Sequence, residues 1–363
     1  MPLIHDIFTA ANIADYYETI NESTLPTIGE QLFPAKKQLG LKLSYVKGAG
    51  GAPVVLRASA FDTQVTFRDR MAVQMNEEDM PFFKEAMLVK ETDRQQLNMV
   101  SQTQNQTLID AITKNIFDDE TNLLRGAHAR LEAMRMQVLA TGKIAVKSNG
   151  AAYDYDYGVD TTNKGKASVD WDKEGANPLA DIEKGIDALT DKGYQPGVLV
   201  TNAKTFRLMQ NASATIQRVA NNKDATYVER DALEKFLRDK FDLIVKIENG
   251  TYQDDSGVSQ KFYPDGYVTL APNTTLGYTV FGTTPEESDL TSGNNLSVKI
   301  VDTGIAVTTE NKTDPVNVQT KVSMIALPSF ETINRVYMLD VLGHTKGVDE
   351  HHDDVAKPGV PTV

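Results

Sequence analysis

Cysteine is absent from the 363 residues, which excludes disulfides, thiolate nucleophiles, iron–sulfur clusters and Cys-ligated zinc. Tryptophan occurs once, and aromatic residues make up 7%. No stretch approaches the roughly 18 consecutive apolar residues of a membrane-spanning helix. The opening Met1-Pro2-Leu3-Ile4-His5-Asp6 lacks the basic and apolar regions of a signal peptide. The chain is therefore expected neither to span a membrane nor to be secreted by that route. Histidine is scarce, with five residues, and no Gly-x-Ser-x-Gly elbow accompanies them, so a Ser-His-Asp hydrolase has no visible framework. Basic residues are in deficit. The 37 Lys and Arg against 50 Asp and Glu give a net charge of −13, the wrong sign for a protein that grips phosphate backbones.

What is present is an ordinary globular composition, 40% hydrophobic and 24% charged. At roughly 150 residues per domain, the length predicts two or three compact units. Ile13, Tyr16, Tyr17 and Ile20 recur at helical spacing and predict a short amphipathic helix over residues 10–22. Pro26, Gly29 and Pro34 then punctuate residues 23–37, which read as an extended arm. From Leu39 to Met75 the period switches to two: Leu39, Leu41 and Leu43, then Val65, Phe67, Met71, Val73 and Met75 after the glycine loop at 48–51. These are long strands, and a two-stranded ribbon is marginal in water unless something covers it.

Residues 105–141 carry the strongest helical signal. Asp118, Asp119 and Glu120 suit an N-terminal turn, Leu124, Ala127, Leu131, Met134 and Val138 follow at three- and four-residue steps, and Thr141-Gly142 is a stop. Read from 119 to 141, the helix would be roughly 35 Å long. His128, within this region, reads as a packed side chain. Ile144–Val146 and Tyr153–Tyr157 read as strands. Asn177-Pro178 opens a helix as N-cap and first helical residue, and Lys192-Gly193 follows its end. Then come the strand Val198–Val200, helices over 203–209, to about 222 and over 228–240, and a strand over 242–248, together an α/β or α+β unit. The last third is strand-dominated: 267–271, 276–281, 298–308, 318–327 and 333–342. No 20- to 50-residue repeat is present, which disfavours solenoids and propellers.

Chemistry-bearing motifs fail on inspection. Gly48-Ala49-Gly50-Gly51-Ala52-Pro53 precedes a strand, so a pyrophosphate would find no helix N-terminus. Gly165-Lys166 is followed by Ala167, without the hydroxyl of a P-loop. Asp154, Asp156 and Gly158 begin like a calcium loop, but Val159 and Gly165 stand where glycine and glutamate are needed. His351 and His352 lie in a tail from 344 read as mobile, a poor scaffold for metal. The adjacent acids Glu77-Glu78, Asp118-Asp119 and Asp254-Asp255 read as solvated turns or helix starts, and nothing selects a glycosidase pair among them. No cofactor and no catalytic residue is expected.

The charge is unevenly spread. Residues 36–75 hold seven basic groups, among them Arg68 and Arg70, and two acidic ones, for +5; the remainder carries −18. Glu77, Glu78 and Asp79 reverse the sign at once. One reading is a solvated strand face and acidic turn; the other is a basic arm docking on an acidic surface of another copy.

In their order, these pieces resemble the lambda-type E family of tailed-phage major capsid proteins, with an HK97-like fold. Residues 58–75 running into Asn76-Glu77-Glu78-Asp79-Met80-Pro81 look like that family's E-loop. Asp118-Asp119-Glu120 leading to Leu131-Glu132-Ala133-Met134 and Leu139-Ala140-Thr141-Gly142-Lys143 resembles its spine helix. Trp171-Asp172, Asn177-Pro178-Leu179-Ala180-Asp181-Ile182 and Val198-Leu199-Val200-Thr201-Asn202 resemble its axial domain. Phe262-Tyr263-Pro264-Asp265-Gly266, and Lys312-Thr313-Asp314-Pro315 leading to Met324-Ile325-Ala326-Leu327-Pro328, extend the likeness to about residue 342.

The resemblance implies an α+β chain with six parts: an N-terminal arm (1–35), an E-loop β-arm (36–80) and a peripheral domain with the spine helix (81–170), then an axial domain (171–310), returning peripheral strands (311–343) and a mobile tail (344–363). It further implies a non-enzymatic shell subunit of the virion, forming hexamers and pentamers of an icosahedral head that encloses double-stranded DNA without sequence-specific binding. A separate scaffolding protein, a portal and a decoration protein are the implied partners. The expected contact between copies joins Arg68 and Arg70 to Glu77, Glu78 and Asp79 or to Asp118, Asp119 and Glu120. The competing classes are an encapsulin-like compartment, a phage tail or adhesin protein, and a hydrolase.

Overall fold

The computed structural model describes residues 7–21, 25–47, 74–89, 91–92, 95–96, 99, 106–148, 151–220, 225–292, 297–313 and 316–344. Helix α1 (Ala10–Asn21) buries Ala10, Ile13, Ala14 and Tyr17; of the expected stripe, Tyr16 is partly buried and Ile20 is exposed. The expected extended arm contains a short helix, α2 (Ile28–Leu32), because Thr27 and Glu30 form a capping box. The Thr27 hydroxyl accepts the Glu30 N–H and the Glu30 carboxylate accepts the Thr27 N–H, each at 3.2 Å. β1 (Ala35–Lys37) follows. Of the strands read between Leu39 and Met75, β2 (Lys42–Lys47) pairs antiparallel with β3 (Gln74–Asp79), Lys42 opposite Asp79, while Leu39 and Leu41 are exposed outside the strand. Residues 48–73, with the glycine loop, Arg68 and Arg70, lie outside the described residues. β4 (Phe82–Val89) comes next.

The long helix, α3 (Gln106–Thr141), has 36 residues rather than the expected 23-residue span from 119 to 141. Asp118, Asp119 and Glu120 therefore stand in mid-helix and are not its first turn. Ile109, Ile112, Ile116 and Phe117 extend the apolar stripe N-terminally, where they cluster with Phe8, Val89 and Val318. That packing outweighs the acidic run as a start signal. The stop at Gly142 holds: its φ is +74°, and a Cβ there would lie 2.2 Å from Val159 Cγ2.

β5 (Lys143–Ser148) and β6 (Ala151–Asp156) form a hairpin, and β7 (Lys164–Lys166) follows. Helix α4 (Pro178–Thr190) opens at Asn177, whose side chain accepts the Ala180 N–H at 3.3 Å. Then come β8 (Val198–Thr201), α5 (Ala203–Asn211), α6 (Ser213–Val219), α7 (Arg230–Phe241), β9 (Ile244–Ile247), β10 (Thr251–Gln253), β11 (Ser259–Lys261) and β12 (Tyr267–Ala271). The chain closes with β13 (Thr279–Phe281), α8 (Pro285–Ser292), β14 (Ser297–Val301), β15 (Ile305–Thr313), β16 (Val316–Pro328) and β17 (Tyr337–Asp340). The strand expected over 298–308 is a hairpin, because Asp302 takes φ +50° and turns the chain between β14 and β15.

Two compact units result. Unit 1 draws its described residues from within 7–47, 74–135 and 275–331, and unit 2 from within 136–274 and 332–344. The expected boundary at 310/311 falls inside β15. Residues 275–310 belong with unit 1 because its sheet runs β1-β13-β16-β15-β14, with β4 also on β16. Residues 136–170 and the final strand belong with unit 2, whose sheet runs β7-β17-β12-β8-β9. Its core gathers Trp171, Leu179, Ile182, Phe206, Leu237 and Leu270 from helices and sheet.

A buried ion pair organises unit 1. Glu132 and Arg135, one turn apart on α3, are 4% and 3% exposed and 3.3 Å apart. Glu132 accepts the Thr27 hydroxyl at 2.6 Å and the Gly29 N–H at 2.9 Å. Arg135 donates to Thr279 Oγ1 at 2.8 Å, and the Thr279 hydroxyl donates to the Phe33 carbonyl at 2.9 Å. Gly29 is required at this approach, since a Cβ would lie 2.4 Å from Glu132 Oε2. Glu30, 3.6 Å from Arg135, is a second and more exposed acid for that guanidinium. Removing Arg135 leaves Glu132 an uncompensated buried charge, which costs about 3–5 kcal/mol, removing Glu132 costs less because Glu30 remains, and replacing both with apolar side chains of similar volume costs less than removing Arg135. Arg135→Met alone is expected to lower the chemical-denaturation free energy by about 3–5 kcal/mol, and Glu132→Met alone by less. The double variant should recover most of it, and a double variant as unstable as the sum of the singles would contradict the coupling.

Candidate assembly surface

The acids expected to meet a basic arm fall into two places within unit 1. Glu77, Glu78 and Asp79 occupy the end of β3, all exposed, opposite Ser44, Leu43 and Lys42. Lys42 lies 3.9 Å from Glu77, with both side chains more than half exposed, so that pair is weak. Side chains alternate along β3, so Glu77 and Asp79 share the face of Lys42 and Ser44, while Glu78 stands opposite Leu43 on the face where Leu43 and Tyr45 are buried.

Helical geometry separates the second triple. Successive residues turn by about 100°, so three adjacent acids cannot share one surface. Asp118 accepts the Tyr16 hydroxyl at 2.8 Å and tethers α1 to α3; burial and Asp118 both raise the Tyr16 pKa. Asp119 is exposed. Glu120 is only 1% exposed, beside the Thr320 hydroxyl of β16. Burial, reinforced by Asp119, pushes its carboxyl up to about 7. Of the three, Asp119 alone is an open contact residue; Glu120 is an internal one. Arg68 and Arg70 lie outside the described residues, so no geometry joins them to either group.

Two groups absent from the expected set matter more to the structure. The Glu132–Arg135 pair was visible only as polar residues interrupting the stripe Leu131, Met134, Val138. His128, read as packed, is half-buried with Nε2 3.0 Å from Asp302 Oδ2 and its ring stacked on Tyr17 at 5.6 Å. That contact lowers the Asp302 pKa and joins α3 to the β14–β15 turn.

Among the described residues, no three His, Asp or Glu side chains are grouped to hold a metal, and no helix is long and apolar enough to cross a membrane. The two mixed α+β units, unit 1 built around a long helix, thus carry exposed acids at the end of β3. The description "Phage major capsid protein E" matches residues 9–341, and the chain belongs to that family. It is a major capsid protein, a non-enzymatic component of the virion that assembles with copies of itself into the phage head shell.

Solved structures share the fold. A candidate capsid protein of an E. coli CFT073 prophage is 14% identical with a TM-score of 0.55, covering 92% of this chain and 99% of that one. A phage-related protein from Bordetella bronchiseptica RB50 is also 14% identical, TM-score 0.54, over 91% and 97% of the two chains. The cyanophage A-1(L) capsid subunit is 11% identical, TM-score 0.50, over 87% and 92%. The chain therefore has an HK97-like, mixed α+β fold. No curated protein matches it.

Because its carboxyl pKa is raised, the folded chain keeps a proton on Glu120 that the unfolded chain has released. The stability from this group is full below about pH 4.5 and is lost as pH rises to about 7. The loss is on the order of 3 kcal/mol. Melting temperature is expected to fall across this window in the natural chain and to stay level in Glu120→Gln. Parallel pH profiles for the two would contradict the assignment.

Proposed function

We propose that copies of this chain form the hexamers and pentamers of an icosahedral head around double-stranded DNA, with a basic arm from each copy lying on acidic surface of the next. In this reading residues 36–80 are the E-loop, unit 1 is the peripheral domain with α3 as its spine, and unit 2 is the axial domain. The observation that carries it is charge segregation: +5 over residues 36–75 and −18 elsewhere, with Glu77, Glu78 and Asp79 exposed at the end of β3. An arm of two strands is marginal in water without a surface to lie on, and a neighbouring copy supplies one. An acidic wall also leaves packaged DNA free to slide, since it offers few cations to phosphate. A separate scaffolding protein, a portal and a decoration protein complete the proposed assembly.

Arg68→Glu with Arg70→Glu is expected to cut the yield of closed shells, counted by negative-stain microscopy, by about tenfold or more. Converting Glu77, Glu78 and Asp79 to lysine in the same chain should restore part of that yield. Ordinary heads from the doubly reversed arm would dismiss the docking role of the two arginines.

A further inference from the structure

In unit 2 the chain leaves β9 at Ile247 and passes through Glu248, Asn249 and Gly250 before β10 starts at Thr251. In an Asn-Gly pair the backbone nitrogen of glycine can reach the asparagine side-chain carbonyl with no Cβ in the way. The fold adds two groups to that pair. The Gly250 N–H donates to Glu248 Oε1 at 2.7 Å. Asn249 Oδ1 accepts the Ala203 N–H at 2.9 Å. Ala203 is the first residue of α5, where N–H groups lack intrahelical acceptors and the helix dipole favours negative charge.

Glycine is enforced at 250: a Cβ would lie 2.6 Å from Phe262 Cδ2 and 2.8 Å from Glu248 Oε1. Phe262 stacks on Tyr252 at 5.3 Å, and its N–H donates to the Gly250 carbonyl at 3.0 Å, so the turn is held from both sides. Asn249 is exposed, which admits water.

We propose that Asn249-Gly250 is a self-modification site at which the folded chain deamidates Asn249. The Gly250 nitrogen attacks the side-chain carbonyl carbon of Asn249 while its proton passes to Glu248 as general base. The Ala203 N–H, at the distance expected of an oxyanion donor, holds the negative charge that develops on Oδ1. Glu248 returns the proton to the departing nitrogen, the carbon–nitrogen bond of the side-chain amide breaks, and ammonia leaves a succinimide. Water then opens one imide carbonyl, giving aspartate or isoaspartate at 249. One water is consumed and one ammonia released, with no change of oxidation state. The aspartate product keeps an acceptor for Ala203 and adds one negative charge at the start of α5, where the dipole favours it.

The test incubates the purified full chain near neutral pH and follows peptide 246–252 by mass spectrometry, with ammonia release measured in parallel. Asn149-Gly150, the other Asn-Gly pair in the sequence, follows Ser148 and serves as the internal reference. Asn249 is expected to convert faster in the folded chain than in a free peptide of residues 246–252 or in the urea-unfolded chain. Glu248→Gln, which keeps an acceptor but is a poorer base, should slow Asn249 by about tenfold or more, within the range of general-base assistance, and leave Asn149 unchanged. An Asn249 that stays intact while the free peptide converts overturns the proposal. So does an equal rate in folded and unfolded chains, a comparison that needs no variant to fold.

Discussion

The burial of Glu132 and Arg135 on α3 is the constraint on which unit 1 depends. Two charges removed from water must find each other and fill their remaining hydrogen-bonding positions locally. They do so by drawing in Thr27 and the Gly29 N–H from the start of α2, and Thr279 from β13. Thr279 in turn holds the Phe33 carbonyl, and its N–H meets the Pro34 carbonyl at 2.9 Å. A stretch that would otherwise wander between α1 and the sheet is thereby tied to the long helix. The capping box at Thr27 and the glycine at 29 are local consequences of that demand.

The same helix shows the contrasting case. Glu120 is as buried as Glu132 but faces Thr320, an uncharged partner, and so holds its proton toward neutral pH. Glu132 is held by hydrogen bonds and an ion pair that tie α2 and β13 to α3; Glu120, its carboxyl pushed up to about 7, makes unit 1 sensitive to pH. Outside, the acids at the end of β3 are exposed to solvent. In a protein that assembles with copies of itself, this arrangement separates buried groups that hold the subunit together from acids exposed at its surface.

Much was legible where the physics is local. Asn177-Pro178 marked the start of α4, Thr141-Gly142 marked the end of α3, and the buried run at Val198–Val200 marked β8, because caps, positive φ and buried strands act over a few residues. The start of α3 was not legible. Its acidic triple has the composition of a first turn, and only the contacts of Ile109, Ile112 and Ile116 with Phe8, Val89 and Val318 show that the helix began earlier. The same holds for residues 275–310, which follow the α/β unit in sequence but complete a sheet whose long strand, β16, comes later in the chain.

By itself the sequence determined the family, the mixed α+β class, the absence of thiol chemistry and the opposition of a basic arm to an acidic remainder, since these rest on composition, order and short-range pattern. Tertiary structure decided which of three adjacent acids is solvent-facing, which is tethered and which is neutral. It also brought Glu248, Asn249 and Gly250 up to the first N–H of α5, 46 residues away in sequence. The reason is the same in each case. The ionisation and reactivity of a side chain depend on desolvation and on the groups within a few ångströms, and chain folding sets those neighbours.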